Sequence, residues 1–135
     1  MKKQILFVCK HNRFRSKTAE AFFNKLNKNK NYACFSAGLF PGEYPLDKIQ
    51  SEVAIKFGIK LSGKPRAITT KILRNTDIII IVADDVPEVL FKYRLYKGKI
   101  IVWKINDVVL HTPEEIKEII SQIEKKVIEF IGDLK

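Results

Sequence analysis

The chain has 135 residues, a hydrophobic content of 46% and a formal net charge of +10. This length fits one domain over residues 1–135, and the apolar content suffices for a packed core, which excludes wholesale disorder. No apolar stretch approaches the roughly 20 residues that span a bilayer, and the apolar part of MKKQILFVCK is too short for a secretory signal. We therefore expect a cytoplasmic protein without membrane contact, whose basic excess favours anionic partners.

The N-terminal half alternates strand-like runs with helical patterns. QILFVC at 4–9 is a short apolar run typical of a buried parallel strand, and SKTAEAFFNKL at 16–26 places its apolar residues on one helical face. YACFSAG at 32–38 predicts a second strand that ends in a glycine. KIQSEVAIKF at 48–57 predicts a helix that stops at Gly58, a common residue after a helix end.

The C-terminal half continues this alternation. TTKILRN at 69–75 predicts a short helix, and the β-branched run DIIIIVA at 77–83 predicts a strand covered on both faces. A further helix is expected from Pro87, followed by the β-rich run KIIVWKI at 99–105. Residues 113–134 predict a long amphipathic helix with proline and two glutamates at its start.

Four strands alternating with helices predict the α/β class. We expect one domain built as a three-layer sandwich, in which a four-stranded, mainly parallel sheet carries helices on both faces. Ligands of such sheets bind outside the carboxyl ends of the strands, near a reversal of the strand order. The segment CKHNRFRS at 9–16 follows such a strand end and is the candidate functional site.

The composition of CKHNRFRS suits the binding of an oxyanion. A loop between a strand and a helix can turn successive backbone N–H groups around one anion. The helix that begins near Ser16 adds its positive end, and the planar guanidinium of Arg15 matches phosphate oxygens. The residues expected to bind phosphate are Lys10, His11, Asn12, Arg13, Phe14 and Arg15.

Cys9 precedes this loop directly. The donors that bind an oxyanion would also stabilise a thiolate, and a thiolate beneath a bound phosphate is a nucleophile. The loop and Arg15 would stabilise charge on the equatorial oxygens during transfer. The predicted first step is the formation of a phosphocysteine on Cys9.

The run VCKHNRFRS, followed by Ala19 and Glu20, resembles the active-site pattern VCxGNxCRSxxAE. This pattern belongs to the low-molecular-weight protein tyrosine phosphatases and the related thioredoxin-type arsenate reductases. The resemblance extends to FSAG at 35–38, NTDIIIIVADD at 75–85 and WKINDVV at 103–109. It therefore covers nearly the whole chain.

The resemblance implies roles for individual residues. Cys9 would be the nucleophile, and Arg15 would bind the phosphoryl group. Ser16 would donate a hydrogen bond to the thiolate, while Asn12 would support the loop through its side chain, with Ser36 as a candidate partner. Asp107 would be the general acid, because a phenolate with a pKa of about 10 departs far better when it is protonated.

Other residues bear on the substrate. Phe40 and Tyr44 follow SAG and are expected to line the substrate cleft. His11 stands where the family pattern has glycine, and histidine tolerates a positive φ better than a β-branched residue does. Phe14 replaces a frequent second cysteine, and Val108 replaces the proline that normally follows the acidic residue.

We predict a phosphomonoester hydrolase of the low-molecular-weight protein tyrosine phosphatase type, acting without a metal or other cofactor. The expected partners are a phosphotyrosyl protein or a small phosphate monoester, with inorganic phosphate or another oxyanion as product or inhibitor. One alternative is an arsenate reductase in which an external thiol or redoxin resolves the adduct on Cys9. Another is a weakened oxyanion- or nucleic-acid-binding module, which the combination of Cys9, Arg15, Ser16 and Asp107 does not favour.

Overall fold

The computed structural model describes residues 2–42 and 45–134. Strands and helices alternate along the described chain, which confirms the predicted α/β class. The elements are β1 Lys3–Cys9, α1 Arg15–Leu26, β2 Tyr32–Gly38, α2 Lys48–Lys56, α3 Thr70–Arg74, β3 Ile78–Val82, α4 Val89–Tyr93, β4 Lys99–Trp103 and α5 Pro113–Gly132. Among the helices described, none is long and apolar enough to cross a membrane.

The four strands form one parallel sheet in the order β2-β1-β3-β4. β1 pairs with β2 on one side, where Cys9 lies opposite Gly38, and with β3 on the other. The strand order therefore reverses at β1. The carboxyl end of β1, where CKHNRFRS begins, is the switch point at which sheets of this kind bind ligands.

Helices cover both faces of the sheet, as predicted. Successive residues of a strand point to opposite faces, so Phe7 and Ile80 enter one core while Leu6 and Ile79 enter the other. α1, α2 and α5 supply the first core, and α3 and α4 supply the second. This two-sided burial explains why β3 is an unbroken β-branched run.

Most element ends agree with the sequence patterns. α2 stops at Lys56, and Gly58 follows with φ +78°, a conformation that favours glycine. β4 ends at Trp103 rather than at Ile105, because the amide of Ile105 donates back to the Trp103 carbonyl and leaves the ladder. α4 begins at Val89 rather than at Pro87.

Candidate active site

Cys9 lies at the end of β1 with 2% of its surface exposed. Its Sγ is 3.0 Å from Ser16 Oγ and accepts the backbone N–H of Asn12 at 3.3 Å. Asn12 adopts a positive φ of 54°, a conformation that asparagine tolerates. His11, which replaces the glycine of the family pattern, is not among the described residues with a positive φ; in this loop that conformation falls on Asn12.

A chain of hydrogen bonds leads from the backbone of residue 66 to the Cys9 thiol. The Arg66 N–H donates to Asn12 Oδ1 at 3.0 Å, which orients the amide so that its Nδ2 donates to Ser16 Oγ at 2.8 Å. Because the Ser16 oxygen accepts from Asn12, its hydroxyl hydrogen remains available for Cys9 Sγ. The arrangement permits donation from Ser16 to the sulfur, and the role of Ser16 stays a prediction.

Within the described residues, Ser36 makes no hydrogen bond with Asn12, which corrects the suggested partnership. The Ser36 hydroxyl donates to Glu20 Oε1 at 2.6 Å, and the polar groups of the Asn12 side chain are already used by Ser16 and Arg66.

Gly38 supports the loop by its lack of a side chain. A Cβ at Gly38 would lie 2.7 Å from the Asn12 nitrogen and 2.8 Å from the His11 carbonyl carbon. The end of β2 therefore packs directly against the loop backbone, and this close approach requires the glycine of SAG.

Arg15 is the first residue of α1 and is 2% exposed. Its Nη1 donates to the Ile105 carbonyl at 2.9 Å and its Nη2 donates to Asp85 at 3.0 Å. Carboxylate oxygens of Asp84 and Asp107 lie 3.6 and 3.7 Å from the guanidinium. The planar, always charged guanidinium suits this buried position between the loops that follow β3 and β4.

The N-terminus of α1 faces the same region. Its N-cap residue, Phe14, makes no side-chain capping bond, and the first turn contains no acidic residue. The orphan N–H groups of the first turn and the positive end of the helix dipole favour an anion here.

A cavity of about 300 Å³ opens above Cys9. It brings together residues that are far apart in the sequence: Cys9, His11, Arg13, Phe14, Arg15, Asp47, Gln50, Asp107, Val108 and His111. Lys10, Asn12 and Ser16 are not part of this described lining, and Asn12 and Ser16 are buried behind it. Within residues 2–42 and 45–134, no group of three or more His, Cys, Asp or Glu side chains could hold a metal ion.

Of the two aromatic residues expected in the cleft, the structure describes only Phe40. Phe40 is 66% exposed and lies outside the described lining of the cavity, which corrects that prediction. Its backbone carbonyl is 2.7 Å from His11 Nδ1; because a carbonyl only accepts, this contact requires the proton on Nδ1. Tyr44 lies outside the residues that the structure describes.

Asp107 lines the cavity and lies in the loop between β4 and α5, whose backbone is held by hydrogen bonds to the Glu115 side chain. Its Oδ1 accepts the Val108 N–H at 2.8 Å. In the next residues of the loop, three backbone N–H groups donate to the carboxylate of Glu115. These belong to Val109, Leu110 and His111, at 3.0, 3.0 and 3.1 Å. The Glu115 amide in turn donates to Thr112 Oγ1, so the motif T-x-x-E at 112–115, a capping-box signature, could have indicated Glu115 from the sequence.

The second cysteine lies in a different environment. Cys34 Sγ donates to Asn24 Oδ1 at 3.4 Å, away from the cavity. Burial, with a smaller contribution from Glu20, raises the pKa of the Cys34 thiol to about 12. Cys34 is therefore a neutral thiol at physiological pH.

Solved structures share this fold over almost the whole chain. The low-molecular-weight protein tyrosine phosphatase of T. tengcongensis is 24% identical, with a TM-score of 0.86 and coverage of 98% of this chain and 100% of its own. Wzb of Vibrio vulnificus, solved with benzylphosphonate, is 22% identical, with a TM-score of 0.85 and coverage of 99% and 100%. An arsenate reductase of Archaeoglobus fulgidus is 26% identical, with a TM-score of 0.76 and coverage of 96% and 99%.

Sequence comparison adds the family. No curated protein sequence matches the chain, but a family model described as low molecular weight phosphotyrosine protein phosphatase matches residues 4–135. The match includes the loop around Cys9, the carboxylates that contact Arg15 and the segment that carries Asp107. The chain therefore belongs to the low molecular weight phosphotyrosine protein phosphatase family.

Proposed function

We propose that the protein hydrolyses phosphate monoesters through a cysteinyl-phosphate on Cys9. The observation that carries this proposal is the position of the Cys9 sulfur. It accepts the Asn12 backbone N–H and lies 3.0 Å from the Ser16 hydroxyl oxygen, beneath a cavity that Arg15 and Asp107 also line. A cysteine sulfur beneath an oxyanion site is placed to attack phosphorus.

In the first step the Cys9 thiolate attacks phosphorus, so that an S–P bond forms as the P–O bond to the leaving group breaks. Asp107, in its protonated form, transfers its proton to the departing oxygen. Arg15 and the first-turn amides of α1 stabilise the charge on the equatorial oxygens. The bonds of Arg15 to Ile105 and Asp85 position the guanidinium and leave some of its five N–H donors for the phosphoryl group.

In the second step Asp107, now a carboxylate, removes a proton from water as the water oxygen attacks phosphorus. The S–P bond breaks, inorganic phosphate forms and the electron pair returns to Cys9. The Ser16 hydroxyl stabilises the sulfur as it leaves. A nucleophilic thiol must stay reduced, so the proposal includes a cytoplasmic location.

The cavity supports a small phosphorylated group as substrate. At about 300 Å³ it is at the lower end of the range for ligand pockets. His11, His111, Asp47 and Gln50 give its described lining a polar character, while Val108 adds apolar surface. We propose a phosphotyrosyl side chain or a small phosphate monoester, with phosphotyrosine suggested by the family.

The direct test is hydrolysis of p-nitrophenyl phosphate by the purified protein. We expect turnover with release of inorganic phosphate, and competitive inhibition by phosphate, because product and substrate share the oxyanion site. The assay is run across about pH 5–8, which brackets the pH at which general acid–base catalysts commonly operate. No hydrolysis anywhere in this range contradicts the proposal.

The hydrogen bonds from residues 109–111 to the Glu115 carboxylate predict that Glu115 positions Asp107. Glu115→Ala removes the acceptor of three loop amides, so we expect about a tenfold lower kcat/KM from misplacement of Asp107. The loss should be greater for phenyl phosphate than for p-nitrophenyl phosphate, since phenolate depends more on protonation. Glu114→Ala, an exposed neighbour in the same helical turn, is the control and should show neither effect. An equal loss for both substrates argues against this role.

The structural similarity to the arsenate reductase of Archaeoglobus fulgidus supports a second candidate function. Cys9 would attack arsenate with loss of water, and an external thiol would then attack Cys9 to form a mixed disulfide and release arsenite. A second external thiol would regenerate Cys9, so that two thiols are oxidised for each arsenate reduced. Cys34 is a neutral thiol that is hydrogen-bonded to Asn24, so it does not supply the thiol that attacks the adduct on Cys9. Arsenate-dependent oxidation of glutathione or of thioredoxin tests this candidate.

A further inference from the structure

A second concave region lies between α1 and the segment 58–66. It measures about 700 Å³ and, in the described part of the chain, shares no lining residue with the cavity at Cys9. α1 contributes residues at helical spacing, from Lys17 through Glu20 and Asn24 to Lys25, which lie on one face of the helix. We call this region the basic groove.

The groove carries an excess of positive charge. Its cationic residues are Lys17, Lys25, Lys60, Lys64 and Arg66, against the single carboxylate of Glu20 in the described lining. The formal charge of the groove is therefore +4. Asn24 and Ser62 add neutral hydrogen-bonding groups.

Lys17 distinguishes the groove from an ordinary basic surface. The residue is 4% exposed, and within residues 2–42 and 45–134 its ammonium has neither a hydrogen bond nor an ion pair. A Cβ at Gly63, whose φ is +83°, would lie 3.3 Å from Lys17 Nζ, so the backbone of the opposite wall lies close to the ammonium. Burial lowers the pKa of Lys17, partly opposed by Glu20. A cation at the end of a largely buried side chain is stabilised when an anion pairs with it.

We propose that the basic groove binds a small anion that carries two or more phosphate groups. One phosphate brings a charge of about −1.5 to −2, which balances at most half of the groove, whereas two phosphates bring about −3 to −4 and come close to its full charge. The groove volume suits a small molecule. A single nucleic-acid strand typically stacks its bases on aromatic rings, and the described lining has none.

Calorimetric titration with sodium tripolyphosphate, and separately with magnesium-free ATP, tests the proposal at one ionic strength. The groove variant is Lys60→Glu/Lys64→Glu, and the matched control is Lys125→Glu/Lys126→Glu. All four lysines are exposed, and both variants change the net charge equally. We expect wild type and control to bind with similar affinity and the groove variant to bind at least about tenfold more weakly.

Lys17→Met removes the ammonium and should also weaken binding, with thermal unfolding as the check on its fold. Equal affinity for the two probes supports recognition of the phosphates alone, and tighter binding of ATP supports added contacts to a nucleoside. Absence of binding, or equal weakening in both double variants, overturns the proposal. Tighter, groove-dependent binding of a single-stranded RNA overturns it in favour of a nucleic-acid site.

Discussion

Replacement of Cys9 by serine is expected to lower kcat/KM for p-nitrophenyl phosphate at least about 1000-fold. Serine preserves the size of the side chain and its contacts with Ser16 and the Asn12 amide, so we expect the fold to be retained. Its hydroxyl, however, is not ionised near neutral pH, and no strong nucleophile remains beneath the phosphoryl group. Steady-state kinetics together with thermal unfolding separate loss of chemistry from loss of structure.

Cys34→Ser is the matched control for this substitution. With its pKa raised to about 12, the Cys34 thiol stays neutral across the assay range and cannot act as a nucleophile. Its replacement should leave turnover unchanged. If Cys34→Ser inactivates the enzyme, or if Cys9→Ser remains active, the assignment of the nucleophile is wrong.

The covalent intermediate can be sought directly. Acid quenching during turnover should leave one phosphoryl group on the peptide that contains Cys9 and none on the peptide that contains Cys34. This modification should be absent from Cys9→Ser. A stoichiometric burst of phenolate without any phosphorylated Cys9 contradicts the proposed intermediate.

Asp107→Asn is expected to lower kcat/KM for phenyl phosphate by about 10²–10⁴-fold, the usual contribution of a general acid. kcat/KM reports the first irreversible step, in which the leaving oxygen takes its proton. A nitrophenolate departs readily without protonation, so the loss for p-nitrophenyl phosphate should be much smaller. Comparison of the two substrates therefore isolates proton transfer from the second step, which Asp107 also serves.

Asp84→Asn provides the matched control for Asp107→Asn. Both carboxylates lie near the Arg15 guanidinium, at 3.6 and 3.7 Å, and they are similarly exposed. Only Asp107 lines the described cavity. We expect no dependence on the leaving group in Asp84→Asn. The same substrate profile in both variants would mean that altered charge at Arg15, rather than proton transfer, causes the loss.

Much of the fold was predictable from local patterns. The β-branched run at 77–83 required burial on both faces, and the structure places it at β3 between β1 and β4. Gly58 marked the end of α2, and the acidic first turn after Pro113 marked the start of α5. These signals are local, because the spacing of apolar residues and the choice of turn residue reflect the conformation of their own segment.

The contacts that hold the site residues in position were harder to predict from the sequence. Asp85 was visible as one of two aspartates after a strand, but its bond to Arg15 depends on how the β3 loop packs over α1. The Arg66 amide orients Asn12, and a backbone group has no signature in residue type. Ser36 was assigned to Asn12 from family resemblance, whereas packing of β2 against α1 gives it Glu20.

By itself, the sequence determined the α/β class and the strand-loop-helix position of Cys9, because strand and helix periodicity and the spacing from Cys9 to Arg15 are properties of a continuous segment. Only the tertiary structure decided which distant groups meet there: the Asp85 contact to Arg15, the amide of residue 66 behind Asn12, and the basic groove around Lys17. Each of these depends on the packing of segments separated by up to 70 residues. Such packing is chosen by burial of the whole core, and no local pattern encodes it.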